Sequence, residues 1–171
     1  DDRVVYLGTF SKTIAPGIRT GWTVAPPDIH RMLLAAREII DISNDRVTQR
    51  TVFQTAAGDF DTRIARARDI YRARRDMMLA SLNEYMPEGV TWSQPQGGFF
   101  VWVTLPESFD VNEFVPKAAT HGTVVFPGDW FFQGRDVRNK IRLSFSTVPE
   151  HRIQEGIRRL SAAIMDEFAT H

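Results

Sequence analysis

The chain has 171 residues, and its 21 basic and 21 acidic side chains give a formal net charge of zero. This balance provides no general attraction to nucleic acid or to an anionic membrane. The absence of cysteine excludes disulfides, thiolate metal sites and a cysteine nucleophile. The scattered histidines show no metal-ligand spacing, and no apolar stretch approaches the roughly 18 residues of a membrane-spanning helix. No signal-peptide pattern opens the chain, so we expect a cytoplasmic protein.

The first part of the chain predicts two strands followed by two helices. Apolar runs over residues 4–8 and 22–25 indicate short strands, the first of them buried. Apolar residues at helical spacing predict a helix over 28–40, and another is expected over 47–57. Two strands are not a stable sheet alone, so we expect much of this layer to be missing or supplied by a partner. The chain starts directly in a strand without Met, which favours the C-terminal piece of a longer protein.

The rest of the chain predicts a long helix and then a compact mixture of strands and helices. The long helix covers 61–86, and its arginine-rich face is interpreted as a solvated face. The later elements are strands over 90–92, 99–105, 123–126 and 141–145, a helix over 111–121 and a final helix opened by residues 147–150. This order indicates an α/β fold with three parts, namely the tail of one layer (1–45), connecting helices (46–86) and a small α+β domain (87–171).

A polar loop follows the first strand, written GTFSKTIAPGIRTGW over residues 8–22. Thr9 and Ser11 offer hydroxyl donors, and Arg19 offers a planar fork of donors suited to a phosphate. A lysine beside a second cation loses its proton more readily, and an unprotonated lysine forms Schiff bases. Pyridoxal 5′-phosphate (PLP) needs both a phosphate cup and such a lysine, which makes Lys12 the candidate. An ordinary surface loop is the alternative, and Lys12 alone would favour it.

The ordered set of motifs resembles one family. SKTIAPGIR (11–19) resembles the cofactor-lysine region of fold-type I, PLP-dependent aminotransferases of class I and II. The spacing of seven residues from Lys12 to Arg19 resembles the spacing in one subgroup of this family. That subgroup contains 2-aminoadipate aminotransferases and the aminotransferase-like domain of winged-helix regulators. The segments PQGGFFVWVTLP (95–106), VVFPGDWFF (124–132) and KIRLSFS (140–146) resemble later parts of the family. The resemblance implies the C-terminal part of the large PLP-binding domain followed by the α+β small domain.

The resemblance also implies roles for the residues of the first loop. Lys12 would form a Schiff base with the cofactor and shuttle the substrate proton. Thr9, Ser11, Lys12 and Arg19 would bind the cofactor, with the two hydroxyls and Arg19 on its phosphate. Thr9 stands where the family usually has Ser, and the hydroxyl is kept.

The resemblance also implies substrate-binding roles for residues of the second half of the chain. Arg142 would bind the substrate α-carboxylate, with a surface strand arginine as the alternative. Gly97 and Gly98 would permit close approach of the backbone to substrate, or mark a bulge. Trp130 is expected in the core or, together with Phe131, at the substrate entrance.

The function implied by the resemblance is transfer of an amino group from an amino acid to a 2-oxo acid by a homodimeric, PLP-dependent aminotransferase. Complete enzymes of this kind are much longer, so the isolated piece is expected to show little or no transamination. The alternative is a PLP-binding effector domain of a winged-helix transcription regulator. A plain interaction module without cofactor is a third interpretation, and it leaves Lys12, Arg19 and Arg142 unexplained.

Overall fold

The computed structural model describes residues 3–134 and 136–170. The chain divides into two compact units between Ala67 and Arg68, inside one long helix. Within the described residues, no helix is long and apolar enough to cross a membrane. The predicted three-part division at residues 45 and 86 stays a prediction.

The first unit contains two strands and two helices, as predicted, and the two strands form an antiparallel β-hairpin. Strands β1 (Tyr6–Thr9) and β2 (Gly21–Val24) pair antiparallel, from Tyr6 opposite Val24 to Thr9 opposite Gly21. Helices α1 (Pro27–Ile40) and α2 (Arg46–Ala57) follow, and α3 (Phe60–Tyr85) begins in this unit. Asp45 starts α2 because its carboxylate accepts the N–H groups of Val47 and Thr48.

The expected burial of the first strand is wrong. Leu7 is 75% exposed and Ile39 on α1 is 86% exposed, and Val52 is the one buried apolar side chain among the described residues of this unit. The physical reason is that β1 pairs only with β2, so the hairpin has no second layer to cover its apolar side chains. An apolar surface of this kind is normally covered by another layer or a partner.

The second unit is a four-stranded antiparallel sheet packed against helices. Its elements are β3 (Thr91–Trp92), β4 (Phe100–Thr104), α4 (Val111–Thr120), β5 (Phe126–Pro127), β6 (Lys140–Ser144) and α5 (Glu150–Thr170). The strand order is β3-β4-β6-β5. Strand β5 begins later than predicted, because the N–H of Thr123 donates to Ala118 O and closes α4 instead of joining the sheet.

One face of this sheet forms the core. Strand side chains alternate between faces, so every second residue of β4 and β6 points at the helices. The core-facing strand residues are Val101, Val103, Ile141 and Leu143, which pack with apolar side chains of α3, α4 and α5. The opposite face keeps the alternate residues, which are Phe100, Trp102 and Thr104 on β4 and Lys140, Arg142 and Ser144 on β6.

The core of the second unit is expected to be sensitive to truncation at Leu160. This α5 side chain is fully buried, so Leu160→Ala removes apolar contacts and leaves a cavity. We expect the free energy of unfolding to fall by about 2–5 kcal/mol. Met165→Ala on the same helix is the control, because Met165 is half exposed. Denaturant unfolding measures both variants, and equal losses would contradict this description of the core.

Candidate functional site

The Lys12 loop closes the β1–β2 hairpin. The N–H of Phe10 donates to Thr20 O at 3.0 Å and extends the ladder by one rung. Phe10 O then accepts the N–H groups of Thr13, Ile14 and Ala15, which winds the first part of the loop tightly. The bond between Phe10 and Thr20 therefore holds the two ends of the loop together. The predicted cofactor residues at this end of the hairpin are Thr9, Ser11, Lys12 and Arg19.

Glycine is required where the hairpin packs on itself. A Cβ at Gly8 would lie 2.2 Å from the indole of Trp22, its direct partner across the ladder. The Trp22 ring therefore covers the Gly8 backbone, and it also contacts Tyr6 at 5.2 Å between ring centroids. The contact fixes the strand that leads into the loop.

The polar groups of the loop are oriented by short-range bonds. Thr9 Oγ1 accepts the N–H of Ser11 at 3.1 Å, which brings these two hydroxyl residues together. Arg19 has a left-handed backbone (φ 44°), and its Nη1 donates to Pro16 O at 3.2 Å. This conformation costs a non-glycine residue about 1–2 kcal/mol. Such strain is concentrated at functional sites, which makes Arg19 notable.

The loop carries positive charge with no counter-charge. Residues 8–22 contain no Asp or Glu. The sequence has three lysines, of which Lys117 pairs with Glu167 and Lys140 donates to Thr104. Lys12, by contrast, is exposed and has no hydrogen-bond or ion-pair partner anywhere in the described residues. The loop therefore presents the cationic groups of Lys12 and Arg19 together with the hydroxyl groups of Thr9 and Ser11, which is a donor set suited to an anion.

Arg142 lies on the sheet face opposite the core, in the middle of β6. Its guanidinium carbon is 4.0 Å from the ring centroid of Phe100, 4.1 Å from that of Phe131 and 5.5 Å from that of Phe126. Across residues 3–134 and 136–170, no carboxylate pairs with this half-buried arginine. Its N–H groups are therefore available for a bidentate carboxylate ligand.

The aromatic surroundings of Arg142 were only partly visible in the sequence. The core alternative for Trp130 is wrong, because this side chain is 69% exposed, and Phe131 beside it is 44% exposed. Phe100 and Phe126 are further neighbours of Arg142, and neither was predicted. Their position depends on the register, in which Phe126 lies opposite Arg142 and Phe100 opposite Ser144. The available signal was the alternation in FFVWV, which leaves Phe100 on the outer face.

Gly97 and Gly98 lie in an exposed loop just before β4. Gly98 has φ 80°, a backbone conformation that favours glycine, and a Cβ at either position would meet no atom within 4 Å. Because β4 begins at Phe100, neither glycine forms a bulge in the ladder, and that alternative is wrong. The open space beside both residues is compatible with close approach of a ligand.

The predicted site residues thus form two groups, one in each unit. Thr9, Ser11, Lys12 and Arg19 share the hairpin end of the first unit, whereas Gly97, Gly98 and Arg142 belong to the second unit.

Known proteins similar to the chain are mostly aminotransferases. This chain is 44% identical to aromatic-amino-acid aminotransferase 1 of Thermococcus litoralis and 34% identical to 2-aminoadipate transaminase of Thermus thermophilus. These alignments cover 98% and 94% of this chain and 40% and 41% of the relatives. An uncharacterized HTH-type transcriptional regulator of Bacillus subtilis is 30% identical over 95% of the chain and 34% of the regulator. The chain therefore spans about 40% of the length of the aminotransferases it matches.

Solved structures give the same result for the fold. Kynurenine aminotransferase of Pyrococcus horikoshii, crystallised with PMP, superposes with a TM-score of 0.94 at 42% identity. The superposition covers 98% of this chain and 42% of the other. The sequence model of "Aminotransferase class I and II" matches residues 1–160, which include both the Lys12 hairpin and the Arg142 strand. The chain belongs to the class I and II aminotransferase family.

Proposed function

We propose that the full-length protein is a PLP-dependent aminotransferase that transfers an amino group from an amino acid to a 2-oxo acid. One observation carries this proposal. In a member of the aminotransferase family, Lys12 and Arg19 lie in one hairpin loop without an acidic partner among the described residues. Such a loop can accept a phosphate and offer an amine next to it.

The residues of the loop fit PLP. Thr9, Ser11 and Arg19 would bind its phosphate through hydroxyl and guanidinium donors, and Lys12 Nζ would bond covalently to its aldehyde carbon. The Pyrococcus aminotransferase, which was crystallised with PMP, supports this choice of cofactor. When bound, the cofactor supplies an electron sink for the substrate's Cα.

The chain's own residues would supply binding and proton transfer. Lys12 would take the proton from the substrate Cα and pass it to the cofactor in the first half of the reaction, and it would carry a proton in the opposite direction in the second half. Arg142 would hold the substrate α-carboxylate through two parallel N–H···O bonds. Gly97 and Gly98 would leave room for the substrate beside the backbone. Aromatic amino acids are the first donors to test, because the Thermococcus relative is named for them and phenyl rings surround Arg142.

A second candidate function is a PLP-binding effector domain of a winged-helix transcription regulator, which the Bacillus relative supports. Both functions would use the same cofactor residues, and they differ in turnover and in DNA binding. We favour the enzyme because the two relatives with higher identity are named transaminases. A homodimer, a cytoplasmic location and little activity of the isolated 171-residue piece stay predictions.

Titration of the full-length apoprotein with PLP tests the proposal through Arg19. Losing a charge-assisted bond to phosphate removes about 1.5–3 kcal/mol, so Arg19→Ala should weaken PLP binding about 10- to 150-fold. Pyridoxal, which lacks the phosphate, should bind the variant and the wild type equally.

Arg31→Ala is the matched control for that titration, since Arg31 is an exposed arginine of α1 paired with Asp28. The loaded wild type is then assayed for 2-oxo acid formation from amino donors. A wild type that neither binds PLP nor turns over any donor would refute the proposed function.

A further inference from the structure

We propose that Phe100 and Phe131 are positioning residues that hold the guanidinium of Arg142 ready for the substrate carboxylate. We call these two side chains the phenyl clamp. The inference rests on the proposed function, because the carboxylate belongs to the substrate of that reaction.

The geometry of the phenyl clamp is close and comes from two separate elements. Phe100 begins β4 and Phe131 lies in the 3-10 turn Asp129–Phe131, yet both ring centroids are within 4.1 Å of the Arg142 guanidinium carbon. Phe126 is more distant, at 5.5 Å. A cation held at this distance over an aromatic face is attracted to the ring.

Ring contacts orient the arginine without using its donors. A guanidinium stacked on a ring keeps its N–H groups in its own plane, where a carboxylate binds. A carboxylate partner from the protein would hold the arginine equally well, but it would occupy those N–H groups. In the described part of the chain Arg142 has no such partner, so the rings are what fixes it. The rings also exclude water from the guanidinium faces, which strengthens its attraction to an anion.

The turn that carries Phe131 is itself anchored. The N–H of Gly128 donates to Lys140 O at 2.7 Å, and a Cβ at Gly128 would lie 2.5 Å from that oxygen. Asn112 of α4 donates its side-chain N–H to Asp129 Oδ2 at 2.9 Å. The turn is therefore attached both to β6 and to α4, and this attachment sets the position of the Phe131 ring.

Leucine variants of the PLP-loaded full-length protein test the clamp. Phe131→Leu and Phe100→Leu keep an apolar side chain and remove the aromatic face. We expect each to raise KM for the amino acid about tenfold, because a partly desolvated cation–π contact contributes about 1–2 kcal/mol. The kcat should stay within about twofold, since the reacting groups are unchanged. Phe131→Tyr, which keeps the ring, should restore the wild-type KM.

Phe132→Leu is the matched control. Phe132 follows Phe131 and contacts Trp102 at 5.5 Å between ring centroids, and it makes no ring contact with Arg142. Its loss should leave KM unchanged. An amine that has the same side chain as the substrate but lacks the carboxylate should react equally with wild type and both clamp variants. Equal rises in KM for Phe132→Leu, or equal losses with the amine, would overturn the clamp.

A binding readout separates the clamp from the proposed function. Calorimetry with 3-phenylpropionate measures carboxylate binding and requires no turnover. If the wild type binds it and both clamp variants bind about tenfold more weakly, the clamp holds even if no transamination is found. If transamination is found and neither KM nor carboxylate binding changes in the variants, the clamp is overturned and the proposed function stands. A wild type with neither turnover nor carboxylate binding overturns both.

Discussion

Replacing Lys12 with alanine in the full-length protein is expected to lower kcat for transamination by at least about a thousandfold. A positioned acid–base group contributes about 10²- to 10⁴-fold, and Lys12 would in addition hold the cofactor covalently. Steady-state formation of the 2-oxo acid product measures the effect. The same variant should lose any visible absorbance band that depends on the bond between the lysine and PLP.

Two additions separate a chemical role of Lys12 from a structural one. Lys117→Ala is the control, because Lys117 is a surface lysine paired with Glu167 on α5. It should keep wild-type kcat. Added methylamine can supply the missing amine to the Lys12→Ala variant, so partial recovery of turnover is expected. If Lys12→Ala retains wild-type turnover, Lys12 is not the catalytic lysine.

Replacing Arg142 with alanine is expected to lower kcat/KM by about 30- to 3,000-fold. Removing one partner of a desolvated, hydrogen-bonded charge pair costs about 2–5 kcal/mol, and 1.4 kcal/mol is tenfold. Arg142→Lys keeps the charge and loses the fork of donors, so it should recover only part of the activity. Kinetics with a series of amino acids measures both variants.

The loss of activity in Arg142→Ala should occur only with substrates that carry a carboxylate. Arg138→Ala is the control, since Arg138 is an exposed arginine that pairs with Asp110 and Asp136. Amines without a carboxylate should react equally with wild type and Arg142→Ala. An equal loss for amines and amino acids would mean that Arg142 has a structural role, and no loss with either would favour the surface-arginine alternative.

The elements of the fold could be predicted because local signals determine them. Helical periodicity and the Pro and Gly residues that end helices predicted α1 to α5 to within a few residues. Alternation in KIRLSFS placed Ile141 and Leu143 on one face and Arg142 on the other, which the structure confirms.

Burial in the first unit could not be predicted in the same way. An apolar run such as Val4 to Leu7 reports the preference of the side chains for burial. Whether they are buried depends on a second layer, and this hairpin has none in the described structure. The apolar stripe of α1 is exposed for the same reason, with Met32 73% exposed.

The detailed side-chain contacts of the site also could not be predicted from the sequence. Motifs pointed to Lys12, Arg19 and Arg142, but the contact of Arg142 with Phe100 follows from strand register, which is a tertiary property. Phe131 contacts the same arginine from a 3-10 turn, which has no periodic sequence pattern from which it could be predicted. The left-handed backbone of Arg19 likewise has no sequence signal, because glycine or asparagine would be expected there.

Reduction of the PLP-loaded full-length protein with borohydride tests the assignment of Lys12 most directly. Reduction makes the bond between a lysine and the cofactor permanent, and peptide mass analysis then identifies the lysine. The other lysines of this chain, Lys117 and Lys140, are internal controls, since each has a partner of its own. We predict the added pyridoxyl phosphate mass on the peptide that contains Lys12. The same mass on another lysine, with Lys12 unmodified, would contradict the central claim.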